Sequence, residues 1–218
     1  MTMQAYRRVS DLPDQLAVFP LPGALLFPRW TLSLNIFEPR YLNMIDDTMS
    51  GSRILGMVQT TGGSKALPEL AHVGCAGRIT SYSETDDGRY LIVLTGICRF
   101  NVNEVANADT PYRQARPDWS PFEADLATPD IADLPSRERL ITALRDYVAR
   151  NEMQADWSAV EDAPIETLVN ALCAGCPFET VEKQALLESP TLRERADTLI
   201  ALLEMDVPGG AGGAANLQ

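Results

Sequence analysis

The sequence predicts an α+β chain in which a β-rich part comes first and a helical part follows. Three observations carry this. Between residues 16 and 119, apolar residues come in short runs or alternate at the strand period, with Pro, Gly and Asp at the breaks. Between residues 136 and 205 they recur at helical spacing. Residues 117–135, which join the two, hold Pro117, Pro121, Pro129 and Pro135 with several acids, the composition of a connector.

The chain is organised around residues 16–45, LAVFPLPGALLFPRWTLSLNIFEPRYLNMI. Residues 16–19 form a short apolar run, stopped by Pro20, Pro22 and Gly23. Proline has no amide donor for a ladder, so Pro20 and Pro22 belong at a strand end or edge. Residues 24–27 are apolar again and are cut by Pro28. Residues 31–36 alternate, with Leu32, Leu34 and Ile36 on one face and Thr31, Ser33 and Asn35 on the other. That is a half-buried strand. The motif Phe37, Glu38, Pro39, Arg40, Tyr41 then opens a helix over about 39–49. Pro39 suits the first turn, where a missing donor costs nothing, and Glu38 lies where the helix dipole favours an anion. Tyr41, Leu42, Ile45 and Met49 follow at helical spacing, and Gly51 is the expected stop.

Residues 54–59, ILGMVQ, read as a buried strand, and residues 60–67, TTGGSKAL, as a loop. The loop is not a phosphate loop, because Ser64 precedes Lys65 and Pro68 follows, where a P-loop needs G-K-[ST] entering a helix. Residues 73–83 and 89–105 predict a β-hairpin turning at Asp86-Asp87-Gly88, with Gly96 marking a bulge or bend. If residues 85–88 form the loop, Cys75 faces Cys98; if only Asp87-Gly88 does, Cys98 faces Gly77. Residues 112–119 are the expected last strand. Residues 136–151 predict an amphipathic helix with Leu140, Ile141, Leu144, Tyr147 and Val148 on one face. Residues 156–162 read as a loop. A second helix is expected over 164–173, capped by Asp162, with Ile165, Leu168, Val169 and Leu172 inward, and broken by Gly175, Cys176 and Pro177. A third covers 179–188. Ser189-Pro190 is read as a cap and first-turn proline of a fourth helix reaching Met205. Its stripe is Leu192, Ala196, Leu199, Leu202 and Leu203, with Leu199 and Leu202 expected to be buried. Pro208 ends it, and GGAGGAANLQ reads as a disordered tail.

The stretch FPLPGALLFPRWTLSLNIFEPRY resembles the N-terminal, substrate-binding domain of Lon proteases. The segments GCAGRI, YLIVLTGICRF and EKQALLESPTLRERADTLIALLEM are similar to the same domain, so the resemblance runs over roughly residues 15–205. The opening motif is specific, since its prolines, FEPRY and strand spacing must coincide. The resemblance implies a PUA-like β-barrel subdomain followed by a C-terminal α-helical bundle. The expected division is a flexible lead-in at 1–14, the barrel at 15–120 with its helix near 39–49, and a connector at 121–135. The helical subdomain follows at 136–206 and the tail at 207–218. In full-length Lon an ATPase and a serine–lysine peptidase follow on the same chain. Here the chain ends first, and the expectation is a stand-alone member without those domains.

Composition sets further bounds. The 218 residues are 45% hydrophobic and 22% charged, ordinary for a soluble globular chain. No apolar run approaches the ~20 residues that span a membrane, and the first residues hold arginines but no apolar signal core. A cytoplasmic protein with reduced cysteines is expected. Lysine occurs only at Lys65 and Lys183, so the basic residues are almost all arginine, and they are scattered. PUA-like folds elsewhere bind RNA, but a net charge of −12 without a basic cluster disfavours nucleic acid.

No catalytic, metal-binding or cofactor-binding residue is expected. A Lon-type nucleophile needs a serine activated by a lysine of lowered pKa. Lys65 lies in the glycine-rich loop and Lys183 between Glu182 and Gln184, and neither setting is that of such a dyad. His72, the sole histidine, precedes a strand and reads as a surface residue. Asp46/Asp47 and Asp86/Asp87 read as helix and turn chemistry. Cys173-x-x-Cys176 could be half a zinc site, but Cys75 and Cys98 lie far off and are not a second pair, so all four read as packed thiols. Phe37 to Tyr41 is a candidate structural motif: Phe37 and Tyr41 pack, while Glu38 and Arg40 order the helix start. Arg78 and Arg99 are read as structural too. The expected function is a non-catalytic binder of polypeptide segments or of a protein partner, in protein quality control or as an adaptor. Its partners would be protein or unfolded polypeptide, without nucleic acid, membrane or cofactor. The alternatives are an RNA-binding PUA-like module or a small-molecule-binding protein.

Overall fold

The structure, a computed structural model, describes residues 6–64, 68–106, 109–132 and 134–205. The chain divides into two units, Met1–Thr128 and Pro129–Gln218. It is an α+β protein.

The first unit holds β1 (Leu16–Pro20), β2 (Thr31–Ile36), α1 (Pro39–Ser50), β3 (Ile54–Gly63), β4 (Pro68–Glu84), β5 (Tyr90–Ala106) and β6 (Arg113–Asp118). Its strands form one mixed sheet in the order β2-β5-β4-β3-β1-β6, and β6 pairs with β5 as well. Pairing therefore runs through β5, β4, β3, β1 and β6 and returns to β5. Among the described strands only β1 and β3 pair in parallel; the other pairs are antiparallel. β2 has a single partner, β5, among the described strands.

A segment without regular structure adds to the interior beside the strand and helix residues. Leu25, Leu26 and Phe27, between β1 and β2, are each almost wholly buried. They cross the sheet where Gly77 of β4 faces Gly96 of β5. A Cβ on Gly96 would stand 1.9 Å from the Phe27 carbonyl oxygen, and one on Gly77 2.5 Å from Leu26 Cδ2. The crossing is bonded: the Gly96 N–H donates to the Trp30 carbonyl and the Arg29 N–H to the Gly96 carbonyl, both at 2.8 Å. The irregularity expected at Gly96 is present. Cys98 faces Ala76 while Gly96 faces Gly77, so Ile97 is the extra residue of a bulge.

The hairpin register differs from both sequence readings. Glu84 faces Tyr90, which leaves a loop of residues 85–89, closed by the Thr85 N–H on the Arg89 carbonyl at 2.9 Å. Gly88 takes a φ of +79° there. A second extra residue, Thr80 on β4, offsets Ile97 on β5. Cys75 therefore faces Arg99, and Cys98 faces Ala76. Counting from a turn cannot see the loop length or a compensating pair of bulges. β3 also continues through Gly63, into the stretch read as a loop; Lys65 lies outside the described residues. A 3-10 turn, Ser120–Leu126, belongs to the first unit and occupies the start of the expected connector.

The second unit holds α2 (Arg137–Arg150), α3 (Trp157–Asp162), α4 (Ile165–Gly175), α5 (Thr180–Glu188) and α6 (Leu192–Glu204). Ser136 caps α2, its hydroxyl accepting from the Arg139 N–H at 3.2 Å. The stretch read as a loop at 156–162 is the short helix α3, capped by Asp156 on the Ser158 and Ala159 amides. Six residues are too few to show a helical period. The α4 cap is Pro164 rather than Asp162. Ser189 ends α5, and Thr191 caps α6 in a reciprocal box with Glu194, so Ser189-Pro190 is not the cap. α6 packs on α2, α4 and α5. It buries Leu192, Arg195, Ala196, Leu199, Ile200 and Leu203, whereas Leu202 is only half-buried, off the 192-196-199-203 row. The buried Arg195 donates to the Leu186 carbonyl at 3.1 Å and to Asn170 Oδ1 at 3.0 Å. The expected tail at 207–218 lies outside the described residues. No helix among the described residues is long and apolar enough to cross a membrane.

Two substitutions test this packing. Gly96→Ala forces Phe27 aside, and overpacking of this kind costs about 1–3 kcal/mol or more. Leu199→Ala empties a fully buried site in the second unit and should cost about 2–5 kcal/mol. Denaturant unfolding with the melting temperature reads both, and an unchanged midpoint in either variant would contradict the packing described.

Candidate functional site

The motif singled out in the sequence divides into two. Glu38 precedes α1 without a side-chain capping bond, and Pro39 fills the first turn. Glu38 accepts from Arg40 at 2.9 Å, and the Arg40 guanidinium lies 4.5 Å from the centre of the Tyr41 ring. Tyr41 is buried against Phe19, ring centres 4.5 Å apart. These residues shape the start of α1. Phe37 does not pack: it is 63% exposed. Ile36 takes the last inward position of β2, and the period of two sends the next side chain outward.

One member of each acidic pair serves the fold. Asp47 accepts from the Tyr112 hydroxyl at 2.7 Å, and burial first, then Asp47, pushes that phenol up to about 12. Asp87 accepts from Arg89 at 2.7 Å, a bond that with Thr85 holds its carboxyl down at about 2. His72 is exposed on β4. Among the described residues no three His, Cys, Asp or Glu side chains are grouped to hold a metal ion.

A buried ion pair that the sequence did not suggest fastens the 3-10 turn. Arg99 and Asp125 are both buried and pair through two parallel bonds of 2.8 Å, and the Arg99 backbone N–H adds a third at 3.0 Å. The Arg99 guanidinium also lies 4.6 Å from the centre of the Phe122 ring. Arg29, with φ +63°, donates to the Asp125 and Ala127 carbonyls. These contacts hold the 3-10 turn to β5. The only local signals were Asp125 in a proline-rich stretch and Arg99 in an apolar strand, 26 residues apart.

The outer edge of β2 has no strand paired to it among the described residues. The register with β5 runs unbroken from Thr31–Thr95 to Ile36–Tyr90. Since the Gly96 N–H bonds the Trp30 carbonyl, the bonded pairs fall at Leu32–Leu94, Leu34–Ile92 and Ile36–Tyr90. Thr31, Ser33 and Asn35 therefore turn their N–H and C=O groups to the open side, and all three are exposed. Edge strands are usually blunted by lysine, proline or a bulge; TLSLNI has none. Beside it lies a depression of about 490 Å³ lined by Asn35, Thr85, Asp86, Asp87, Arg89 and Leu91. Asn35, Leu91 and Ser83 form one cross-strand row on that face, with Leu91 45% exposed. On the opposite face Ile36 and Ile92 are buried, and Tyr82 meets Tyr90 with ring centres 5.0 Å apart.

A family model described as the ATP-dependent protease La (LON) substrate-binding domain matches residues 15–205. The Lon protease of Parabacteroides distasonis is 26% identical over 208 residues, covering 91% of this chain and 24% of that protein. The Lon protease of Flavobacterium johnsoniae is 25% identical over 196 residues, covering 86% and 23%. The chain thus spans about a quarter of the length of these curated relatives. Among solved structures, a Lon N-terminal domain protein from Xanthomonas campestris superposes with a TM-score of 0.56 at 24% identity, over 86% of this chain and 97% of that one. The N-terminal domain of the Mycobacterium avium complex Lon protease gives 0.57 at 13%, over 88% and 100%. At these identities the structures establish likeness of fold.

The four cysteines are free and buried. Burial pushes Cys98, Cys173 and Cys176 up to about 12 from 9.0. The fold holds these thiols neutral, so their contribution to stability is full below the ordinary thiol pKa and is lost as pH climbs toward the raised values. Thiol titration near neutral pH should find all four slow to react in the folded protein and all four reactive on denaturation. A Cys75–Cys98 disulfide in freshly isolated protein would contradict the register.

Proposed function

Because this chain belongs to the ATP-dependent protease La (LON) substrate-binding domain family, we propose that it binds polypeptide segments of other proteins and performs no chemistry on them. The observation that carries this is the match over residues 15–205, nearly the whole described chain. The sequence motifs are consistent with it, as neither a P-loop nor the setting of a serine–lysine dyad is written in these residues. In this reading the cycle of pairings through β5, β4, β3, β1 and β6 is a PUA-like barrel. Glu38 to Tyr41 serve to start α1. The site of action is the cytoplasm, and the role is one in protein quality control or as an adaptor.

Long-range repulsion at −12 net charge works against RNA, the other ligand of PUA-like folds. The test is fluorescence anisotropy with a labelled uncharged unfolded peptide and a labelled RNA, each at low and high salt. Peptide binding should be weak and should hold or strengthen with salt, while RNA binds far less well. Tight RNA binding that collapses with salt, beside no peptide binding, would overturn the reading.

A further inference from the structure

Resting on that reading, we propose that the open edge of β2 is the docking strand. An extended polypeptide adds to it as a further strand, and a lysine or arginine of that segment lies in the depression beside Asn35 and Leu91.

The backbone supplies the first half. The outward N–H and C=O groups of Thr31, Ser33 and Asn35 form a ladder face without a strand opposite them among the described residues. Such a row pairs readily with an extended chain. The side chains supply the second half. A docked residue opposite Asn35 shares its face, and a long side chain there, laid across Asn35, reaches Leu91 and the loop of residues 85–89, which line the same depression. Asp87 is already paired with Arg89. Asp86 has no ion pair among the described residues, and Glu84 next to the loop has none either. The tip therefore carries uncompensated negative charge. A basic side chain meets it best, its apolar stem on Leu91 and its head at Asp86. The neighbouring docked residues turn toward Leu34 and Ile36, where an apolar side chain fits. The ligand class is an extended segment with a basic residue between two apolar ones.

A second copy of the chain fits less well as the occupant. Its own β2 carries no charge, and its Arg29 is held by the Asp125 and Ala127 carbonyls. A β2–β2 pairing would set no lysine or arginine opposite Asn35.

The experiment uses the full chain and two short labelled peptides alternating valine and threonine, one with a central lysine and its twin with glutamate. The lysine peptide should bind about two- to fivefold more tightly, the scale of one exposed ion pair. Asp86→Lys should abolish or reverse that preference. Ser33→Pro removes an outward donor without removing a bond to β5, and should weaken both peptides about tenfold or more. Hydrogen exchange on the unmodified protein needs no variant to fold. Bound peptide should slow the Thr31, Ser33 and Asn35 amides and leave those of Leu32 and Leu34, already paired, unchanged. Peptide binding without that protection, or without any preference for lysine, overturns the docking strand and leaves polypeptide binding standing. Failure of the parent protein to bind any peptide overturns both.

Discussion

The first unit depends on one contact without spare room, the passage of the Leu26–Phe27 backbone over Gly96. Any side chain at Gly96 would collide with the Phe27 carbonyl, at 1.9 Å. Because the approach is possible, Leu25, Leu26 and Phe27 are buried in the interior. The same approach places Trp30 in hydrogen-bonding range of Gly96, and that bond sets the phase of β2 on β5. Which β2 amides face outward is thus decided by a packing constraint several residues upstream. A shift of one residue would exchange the paired and the open amides and turn Leu32, Leu34 and Ile36 to the other face.

The arginines show how burial separates structural charge from surface charge. Arg99 and Asp125 are almost fully enclosed and meet in fork geometry. Taking both ions out of water is expensive, and removing one partner of such a pair costs about 3–5 kcal/mol because the other is left unpaired. Glu38 and Arg40 are each about a third exposed, and pairs of that kind are worth about 0–1 kcal/mol. The pair written into the recognisable sequence motif is therefore the weaker one. The pair that holds the 3-10 turn to the sheet carries no motif at all.

What could be read from the sequence follows from the range of each interaction. β1, β2 and α1 were legible because their signals are local: an apolar run ended by proline, an alternation, a first-turn proline. α2 showed its stripe over 14 residues, whereas α3, with six, had no room to show one. The hairpin was legible but its register was not, since two bulges and a five-residue loop leave no trace in composition. Phe37 is expected to pack as part of the motif, yet its position one past the inward Ile36 decides its exposure. The free edge was invisible for a stronger reason. Whether a strand has one neighbour or two is a property of the sheet order, and nothing within TLSLNI encodes it.

That same strand shows where function and stability part company. Natural edges are protected at some cost, by charge, proline or irregularity. β2 has an unbroken register and no charged residue, although Arg29 lies just before it and Glu38 and Arg40 just after. Those flanking charges are spent locally: Arg29 on the carbonyls of the 3-10 turn and Glu38 on Arg40. Local bonding engages those flanking charges, while Asp86, which lines the depression beside β2, has no ion pair among the described residues. An edge so arranged discourages indiscriminate pairing weakly and favours a partner of one polarity at one end. The constraint that packs the interior and the ion pairs that fasten the turn thereby also determine which chemistry the surface can receive.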